Sequence, residues 1–333
     1  MKPGPTLSGH DVVLPLYQTG WNTRAVLEGL TFWYRPRRLF LLTPGEQVAA
    51  IEKKAGQWST SPIVCLAEES LFEPRYGLSK GDLAEPLRLA GSLYTPGWFF
   101  QQLLKMGAGT FLEDLSEDYL VWDADLLPVA PWPLFVEGVP AFALLQHRSG
   151  GNPAIVAKWA EWIRQFLSIA PIEEPEGTFV PHHLWFHQDQ VAGLLEKVCQ
   201  ALGTTDPWPL AMMKSVGGEG TFSEFWAYSS WLQAQAPDRL AYHPYSSYGS
   251  TTERFFEDGT ALFASKLART TGKNPADISY FDLLAFLRGE YGEDALPSSL
   301  SFETSSRHLQ KAAATLHLEE TRSRWSMRSE SSV

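Results

Sequence analysis

Two aspartates separated by one residue, Asp123 and Asp125, are the strongest candidates for chemistry in this sequence. They follow the apolar run 119–122, which predicts that both carboxylates lie at the carboxyl end of a buried strand, where open α/β sheets bind ligands. Residues i and i+2 of an extended chain point the same way, so both side chains can face one divalent ion. Oxygen ligands favour Mg²⁺ or Mn²⁺. The alternative is a solvated turn in which the aspartates only cap the backbone.

The adjacent histidines His182 and His183 are candidates for lining a binding pocket. Neighbouring residues on a strand face opposite sides, so at most one of the two can point into a site. The alternative is a structural histidine bonded to the backbone. His187 and His308 lie beside helical segments and are predicted to be surface residues.

Glu224 permits two interpretations. As a functional residue it would be a general base that deprotonates a substrate hydroxyl, or it would bind that substrate. The spacing of Thr221 and Glu224 is also that of a capping box, in which the glutamate only closes the start of a helix. The sequence alone leaves both interpretations open.

Apolar runs in the first half of the chain predict the strands that would position these residues. The runs lie at 11–17, 38–43, 62–67, 119–122 and 141–145. They are continuous rather than alternating, which is typical of strands covered on both faces. Helical patterns lie at 20–30 and after Thr95–Pro96. Strands that alternate with helices predict an open, mostly parallel α/β sheet.

The second half is predicted to be more helical. Helical patterns begin at Asn152–Pro153 and at Asp189, and others lie at 221–232, 259–269 and 277–288. From about residue 297 the composition turns polar, which predicts a surface helix followed by a loose tail.

Composition excludes several classes of protein. The 333 residues are 44% hydrophobic, which excludes wholesale disorder, and the net charge of −11 argues against non-specific nucleic-acid binding. Two distant cysteines cannot form a disulfide framework or a cysteine-based zinc site. The N-terminus shows no signal peptide, and the longest uncharged stretch, 89–104, is too short and too polar to span a bilayer. We therefore expect a soluble, cytoplasmic protein, although one trimmed of an anchor would look the same.

Three blocks of the sequence resemble nucleotide-sugar-dependent glycosyltransferases of the GT-A fold. The first combines Trp98-Phe-Phe-Gln-Gln-Leu-Leu-Lys105 with Tyr119-Leu-Val-Trp-Asp-Ala-Asp125, and the others are 179–186 and 222–228. The similarity is closest to a poorly characterised group of such enzymes with a D-x-D strand end, and it spans about residues 10–245. It implies a GT-A-like (Rossmann-like), mostly parallel sheet flanked by helices, in a single domain with a C-terminal helical extension.

The same resemblance implies a division of the chain and a donor site. Residues 8–300 would form the domain, with a nucleotide-sugar-binding half at 8–150 and an acceptor half at 151–300; a C-terminal helix and loose tail would occupy 301–333. Asp123 would lie near the ribose and the metal, and Asp125 would be the firmer metal ligand and a catalytic residue. Lys105 would reach the diphosphate or a carboxylate of the site. The other implied donor contacts are Leu14, Pro15, Leu16, Tyr17, Trp122 and Ala124.

The resemblance also implies residues for the metal shell and the acceptor. Several GT-A enzymes complete their metal shell with a late histidine, which makes His243 the candidate third ligand, and imidazole is an acceptable Mn²⁺ ligand. The match through 222–228 favours a functional Glu224. Sugar rings present apolar C–H faces that suit aromatic planes, so Trp185 and Trp226, inside the matched blocks, are the expected acceptor contacts alongside His182 and His183.

The sequence as a whole predicts a Mn²⁺- or Mg²⁺-dependent glycosyltransferase, a hexosyl- or pentosyltransferase that moves a sugar from a UDP-sugar to a glycan or glycosylated acceptor. The first alternative is a nucleotidyltransferase-like enzyme on the same fold. It would ordinarily carry a basic, glycine-rich loop after the first strand, and residues 17–21 have no base. The second alternative is a non-catalytic carbohydrate-binding protein. Nucleic acid is not an expected partner.

Overall fold

A computed structural model describes residues 6–90, 95–143, 153–173, 179–217, 220–243, 252–255 and 257–302. The strands within them are β1 (Asp11–Pro15), β2 (Arg38–Thr43), β3 (Ile63–Ala67), β4 (Asp118–Trp122), β5 (Leu126–Pro128), β6 (Phe135–Val136), β7 (Val139–Ala143), β8 (His183–His187), β9 (Ala241–His243), β10 (Thr252–Phe255) and β11 (Ser299–Phe302). The α-helices are α1 (Thr23–Tyr34), α2 (Gly45–Ala55), α3 (Glu73–Tyr76), α4 (Lys80–Leu89), α5 (Pro96–Phe111), α6 (Pro153–Trp162), α7 (Gln188–Leu202), α8 (Trp208–Lys214), α9 (Glu224–Gln235), α10 (Glu257–Thr271) and α11 (Tyr280–Tyr291).

The central sheet among these residues has five strands in the order β3-β2-β1-β4-β8. The first four are parallel, and only β8 is antiparallel, with His183 opposite Trp122 and His187 opposite Asp118. The interiors of β1, β2, β4 and β8 are buried, as continuous apolar runs predict. The predicted α/β class, with a mostly parallel sheet flanked by helices, is confirmed.

Two small sheets lie outside the central one in the described chain, β10-β11-β5 and β6-β7-β9. The predicted strand at 141–145 is confirmed as far as Ala143, and residues 144–145 lie outside the described chain. Its expected place in the central sheet is wrong, because β7 pairs with β6 and β9. Pro128, Pro131 and Pro133 precede it. Because proline cannot donate to a strand ladder, this segment leads the chain away from the central sheet.

Ion pairs hold the amino-terminal edge of the central sheet. Asp11 is fully buried and accepts hydrogen bonds from Arg37 and Arg38 and from the backbone N–H of Ser116. At the same edge His187, predicted to be a surface residue, is fully buried, with its Nδ1 2.5 Å from Asp118 Oδ1. The second residue predicted to be at the surface, His308, lies outside the described residues.

Glycine at position 107 of α5 allows close packing against aromatic rings. A Cβ there would lie 2.7 Å from the Phe111 ring and 2.8 Å from the Trp208 indole. We expect Gly107→Ala to destabilise the protein by about 1–3 kcal/mol through overpacking, although alanine is favoured over glycine in helices. Urea unfolding measures this. The control is Gly289→Ala in α11, where a Cβ meets nothing within 4 Å; equal effects of the two substitutions would contradict the packing argument.

Candidate metal centre and active site

The turn that carries the two aspartates is tied down by its backbone. The N–H of Asp123 donates to the carbonyl of His182 at 2.8 Å, and the N–H of Leu126 donates to the carbonyl of Asp123 at 2.9 Å. The N–H of Phe302, at the end of β11, donates to the carbonyl of Asp125 at 3.0 Å. The turn therefore has a fixed shape that is set by three separate parts of the chain.

Trp122 stabilises the same turn from beneath. Its indole N–H donates to the carbonyl of Leu126 at 2.7 Å, and its side chain is 0% exposed. A buried indole has no surface with which to contact a donor, so the implied role of this side chain in donor binding does not fit the structure. Ala124, between the two aspartates, is half-buried at the surface of the turn.

Asp123, Asp125 and His182 form the candidate metal centre. One potential ligand atom from each lies within 4.8 Å of the others, and all three side chains are partly exposed. Two carboxylates and an imidazole are suitable donors for Mn²⁺ or Mg²⁺. The residues present therefore fit a divalent ion at the carboxyl end of β4, where the sequence places the aspartates.

The third member of this centre differs from the one that the resemblance implies. His243 does not join the cluster and lies in β9, paired with β7. His182 takes that place because it immediately precedes β8, whose antiparallel direction brings its first residues to the carboxyl end of β4. His182 has a φ of +63°, a left-handed conformation that costs a non-glycine residue about 1 kcal/mol. This conformation lets both its carbonyl and its ring contact Asp123.

Lys105 lies behind the centre and joins two acidic groups. Its ammonium is 2.5 Å from Asp123 Oδ1 and 2.6 Å from Glu224 Oε1, and it lies 4.6 Å from the centre of the Phe225 ring. The side chain is only 3% exposed. Of the two contacts implied for Lys105, the structure shows the one with a carboxylate, and the ammonium has almost no exposed surface.

The charges of the centre stabilise one another. Burial alone would raise the pKa of Asp123, but the Lys105 ammonium and the His182 ring together hold that pKa well below its usual range. Burial alone would lower the pKa of Lys105, but Asp123 and Glu224 raise it above its usual value. Asp123 is therefore ionised and able to bind a cation, and Lys105 carries its charge.

Glu224 is the first residue of α9, but it does not act as the glutamate of a capping box. The Ser223 hydroxyl accepts the N–H of Trp226 at 3.5 Å, which makes Ser223 the cap of α9. The Glu224 carboxylate is buried and bonded to Lys105. The capping-box interpretation is therefore wrong, because the helix begins two residues later than that interpretation requires.

Gln102 is a residue of the site that the sequence interpretation missed. It lies one turn before Lys105 in α5, and its side-chain oxygen accepts the backbone N–H of Glu224 at 3.1 Å. Gln102 is 1% exposed. The i, i+3 spacing from Lys105 was the available signal, since residues at this spacing share a helix face.

Of the four residues expected to bind an acceptor, two are buried in the core and a third donates a hydrogen bond to the backbone. His183 is buried between Trp122 and Trp132, and burial lowers its pKa to about 3. Trp185 is 0% exposed and donates to the carbonyl of Leu134. The half-buried Trp226 donates to the carbonyl of Ile172 at 2.7 Å. His183 and Trp185 are core residues because the whole of β8 is covered on both faces.

The end of β1 forms the other side of the same sheet edge. Leu14 and Leu16 are buried, Pro15 is half-buried, and Tyr17 is 75% exposed. The ammonium of Lys80 lies 5.9 Å from the centre of the Tyr17 ring. Of the four residues expected beside the uridine, Tyr17 is therefore the one with a broad accessible side chain.

The predicted C-terminal segment is described only at its start. Ser301 and Phe302 belong to β11, and residues 303–333 lie outside the described chain. In the described chain, no helix combines the length and apolar character that crossing a membrane requires.

A family model described as a family of unknown function (DUF6492) matches residues 24–266, and no curated protein matches the chain. Among solved structures, mouse xyloside xylosyltransferase 1 in its apo form is 8% identical, with a TM-score of 0.42 over 74% of this chain and 87% of that one. The galactosyltransferase LgtC, in complex with donor and acceptor sugar analogues, is 12% identical, with a TM-score of 0.37 over 94% of this chain and 95% of that one. The glycosyltransferase GlyE of Streptococcus pneumoniae TIGR4 is 10% identical, with a TM-score of 0.34 over 96% of this chain and 62% of that one.

Proposed function

Because this chain belongs to DUF6492, a family of unknown function, we propose its activity from its own site: a metal-dependent glycosyltransferase that moves a sugar from a UDP-sugar to a glycan or glycosylated acceptor. The observation that carries the proposal is the cluster of Asp123, Asp125 and His182 at the carboxyl end of a parallel sheet. Ligands bind at this edge in open α/β sheets, and this donor set suits an ion that also binds phosphate oxygens.

The residues of the chain have separate tasks in this proposal. Asp123, Asp125 and His182 would hold Mn²⁺ or Mg²⁺, which offsets the charge that grows on a departing diphosphate. The backbone bonds to His182 and Phe302 keep the turn in its shape before a ligand arrives. Tyr17, which is exposed at the end of β1, would contact the nucleoside. Such fixed groups stabilise a transition state without a cost of reorganisation.

The enclosure of Lys105 makes the metal dependence of this reaction strict. Its ammonium is already shared between Asp123 and Glu224, with 3% of the side chain exposed. The charge of a diphosphate at this edge must therefore be met mainly by the metal ion. We expect chelation to abolish turnover rather than to reduce it partly.

The test is UDP release from a panel of UDP-sugars. We expect purified protein with Mn²⁺ or Mg²⁺ to release UDP from at least one donor, faster with a glycan acceptor present, and to stop when EDTA is added. Release of pyrophosphate from a nucleoside triphosphate and a sugar phosphate would instead show a nucleotidyltransferase. If no donor yields UDP and UDP binding does not depend on metal, the proposed function is wrong.

A further inference from the structure

Lys105 and Glu224 form an ion pair that the proposed chemistry does not use directly. The two side chains are 3% and 7% exposed, and the pair lies on the protein side of Asp123 rather than at the surface. Lys105 is enclosed by Asp123, Glu224 and the face of Phe225. The ammonium therefore has a fixed position, and its electrostatic field acts on any ion that binds to Asp123.

The charged groups of the metal centre and the Lys105–Glu224 pair together carry a net negative charge. Asp123, Asp125 and Glu224 supply three carboxylates against the single ammonium of Lys105, which leaves a formal charge of −2. A divalent cation neutralises this charge. Without Lys105 the same carboxylates would attract a cation more strongly, and without Glu224 they would attract it less.

We propose that Lys105, oriented by Glu224, is the internal counter-ion of the metal centre: it holds Asp123 in place and sets the affinity for the divalent cation below that of the carboxylates alone. The proposal rests on the proposed function, because it takes Asp123 as a metal ligand. Lys105 and Glu224 are positioning residues in it.

The contacts of Glu224 hold its carboxylate against Lys105, so Glu224 acts through the lysine. Its backbone N–H is bonded to Gln102, one turn from Lys105 on the same helix, and Ser223 caps the helix that it begins. Its Oε1 is bonded to the ammonium. The geometry therefore favours a carboxylate that orients a lysine over one that removes a proton from an acceptor.

The two charges should change metal affinity in opposite directions. Lys105→Met removes a positive charge beside a ligand and should tighten Mn²⁺ binding by about ten-fold or more, since charges a few ångströms apart interact strongly where water screens them little. Glu224→Gln removes a negative charge and should weaken binding by about ten-fold for the same reason. The double variant restores the formal charge and should bind within about three-fold of the original protein.

The experiment is calorimetric titration of Mn²⁺ into the full chain, without donor or acceptor. Lys105→Arg is the matched control, since it keeps the charge and should keep the affinity close to that of the original protein. Thermal melts with and without Mn²⁺ accompany each titration. We expect Lys105→Met to melt lower without the ion, because the buried Glu224 and the partly exposed Asp123 lose their shared partner, and to gain more from Mn²⁺.

Unchanged or weaker Mn²⁺ binding by Lys105→Met would overturn the inference, since a merely structural role of the lysine would loosen the centre. If Lys105→Met does not fold, Glu224→Gln decides: weaker binding supports the counter-ion and unchanged or tighter binding overturns it. If Mn²⁺ binds to the original protein but neither variant differs from it, only this inference fails. If Mn²⁺ binds to neither the original protein nor the variants, the metal assignment of the proposed function fails with it.

Discussion

Asp125→Asn is expected to lower UDP release by at least about 100-fold, because an amide contributes no charge to a divalent ion and a metal supplies several kcal/mol of transition-state stabilisation. The fold should survive the substitution. The backbone carbonyl of Asp125 keeps its bond from Phe302, and the side chain lies at the partly exposed face of the turn. The loss should therefore appear in turnover and in Mn²⁺ affinity, with little change in the free energy of unfolding.

The control for this variant is Asp294→Asn, which removes a carboxylate at an exposed position outside the site. UDP release and Mn²⁺ titration are measured for both variants beside urea unfolding. If Asp125→Asn has the same activity and Mn²⁺ affinity as the Asp294→Asn control, Asp125 is not a metal ligand. An equal loss of activity and of stability would point to a structural role.

Asp11→Asn is expected to destabilise the protein by about 3 kcal/mol, the cost of breaking a buried ion pair from one side. The carboxylate is 0% exposed and faces two guanidiniums, Arg37 and Arg38, which lose their shared partner. Both arginines reach solvent, which keeps the cost from rising further. Because Asp11 lies at the opposite end of β1 from Tyr17, UDP release by the folded variant should be unchanged.

The pH dependence of stability gives this variant a second signature. Burial alone would raise the pKa of Asp11, but the hydrogen bonds from Arg37 and Arg38 hold it below its usual value. Its contribution to stability is therefore complete above the unfolded pKa of about 4 and is lost as the pH falls through the lower folded pKa. Urea unfolding at several pH values should show the difference between the original protein and Asp11→Asn shrinking below about pH 4. A difference that stays constant down to pH 2 would contradict the ion-pair explanation.

The part of the site predicted best from sequence is the part set by local pattern. A continuous apolar run followed by Asp123 and Asp125 places both at the carboxyl end of a strand, because a buried parallel strand must end where its apolar residues end. His182 was predicted beside the site but not as a member of the metal centre. Its place depends on β8 being antiparallel, and the direction of an edge strand is not encoded in any window of residues around it.

Other differences between the predicted and the observed site arise because the periodicity of the sequence does not show which residues are buried. Trp122 and Trp185 stand in matched blocks, yet they are core residues because both faces of their strands are covered. Lys105 is the single charged residue of α5, and only its distant partners, Asp123 and Glu224, explain a buried charge there. The helix α2 was not predicted, although Val48, Ile51 and Ala55 share one of its faces; only Ile51 of that face is buried.

The hydrogen bond from Phe302 to Asp125 has a consequence for the order in which the protein is made. Every side chain of the candidate site precedes residue 225, but the strand that holds Asp125 in place is the last one in the described chain. A chain still on the ribosome, synthesised through α9, therefore contains all the ligands and lacks the strand that fixes their turn. Since a domain generally folds as a unit during synthesis, the centre acquires its final shape only after residue 302 has been made.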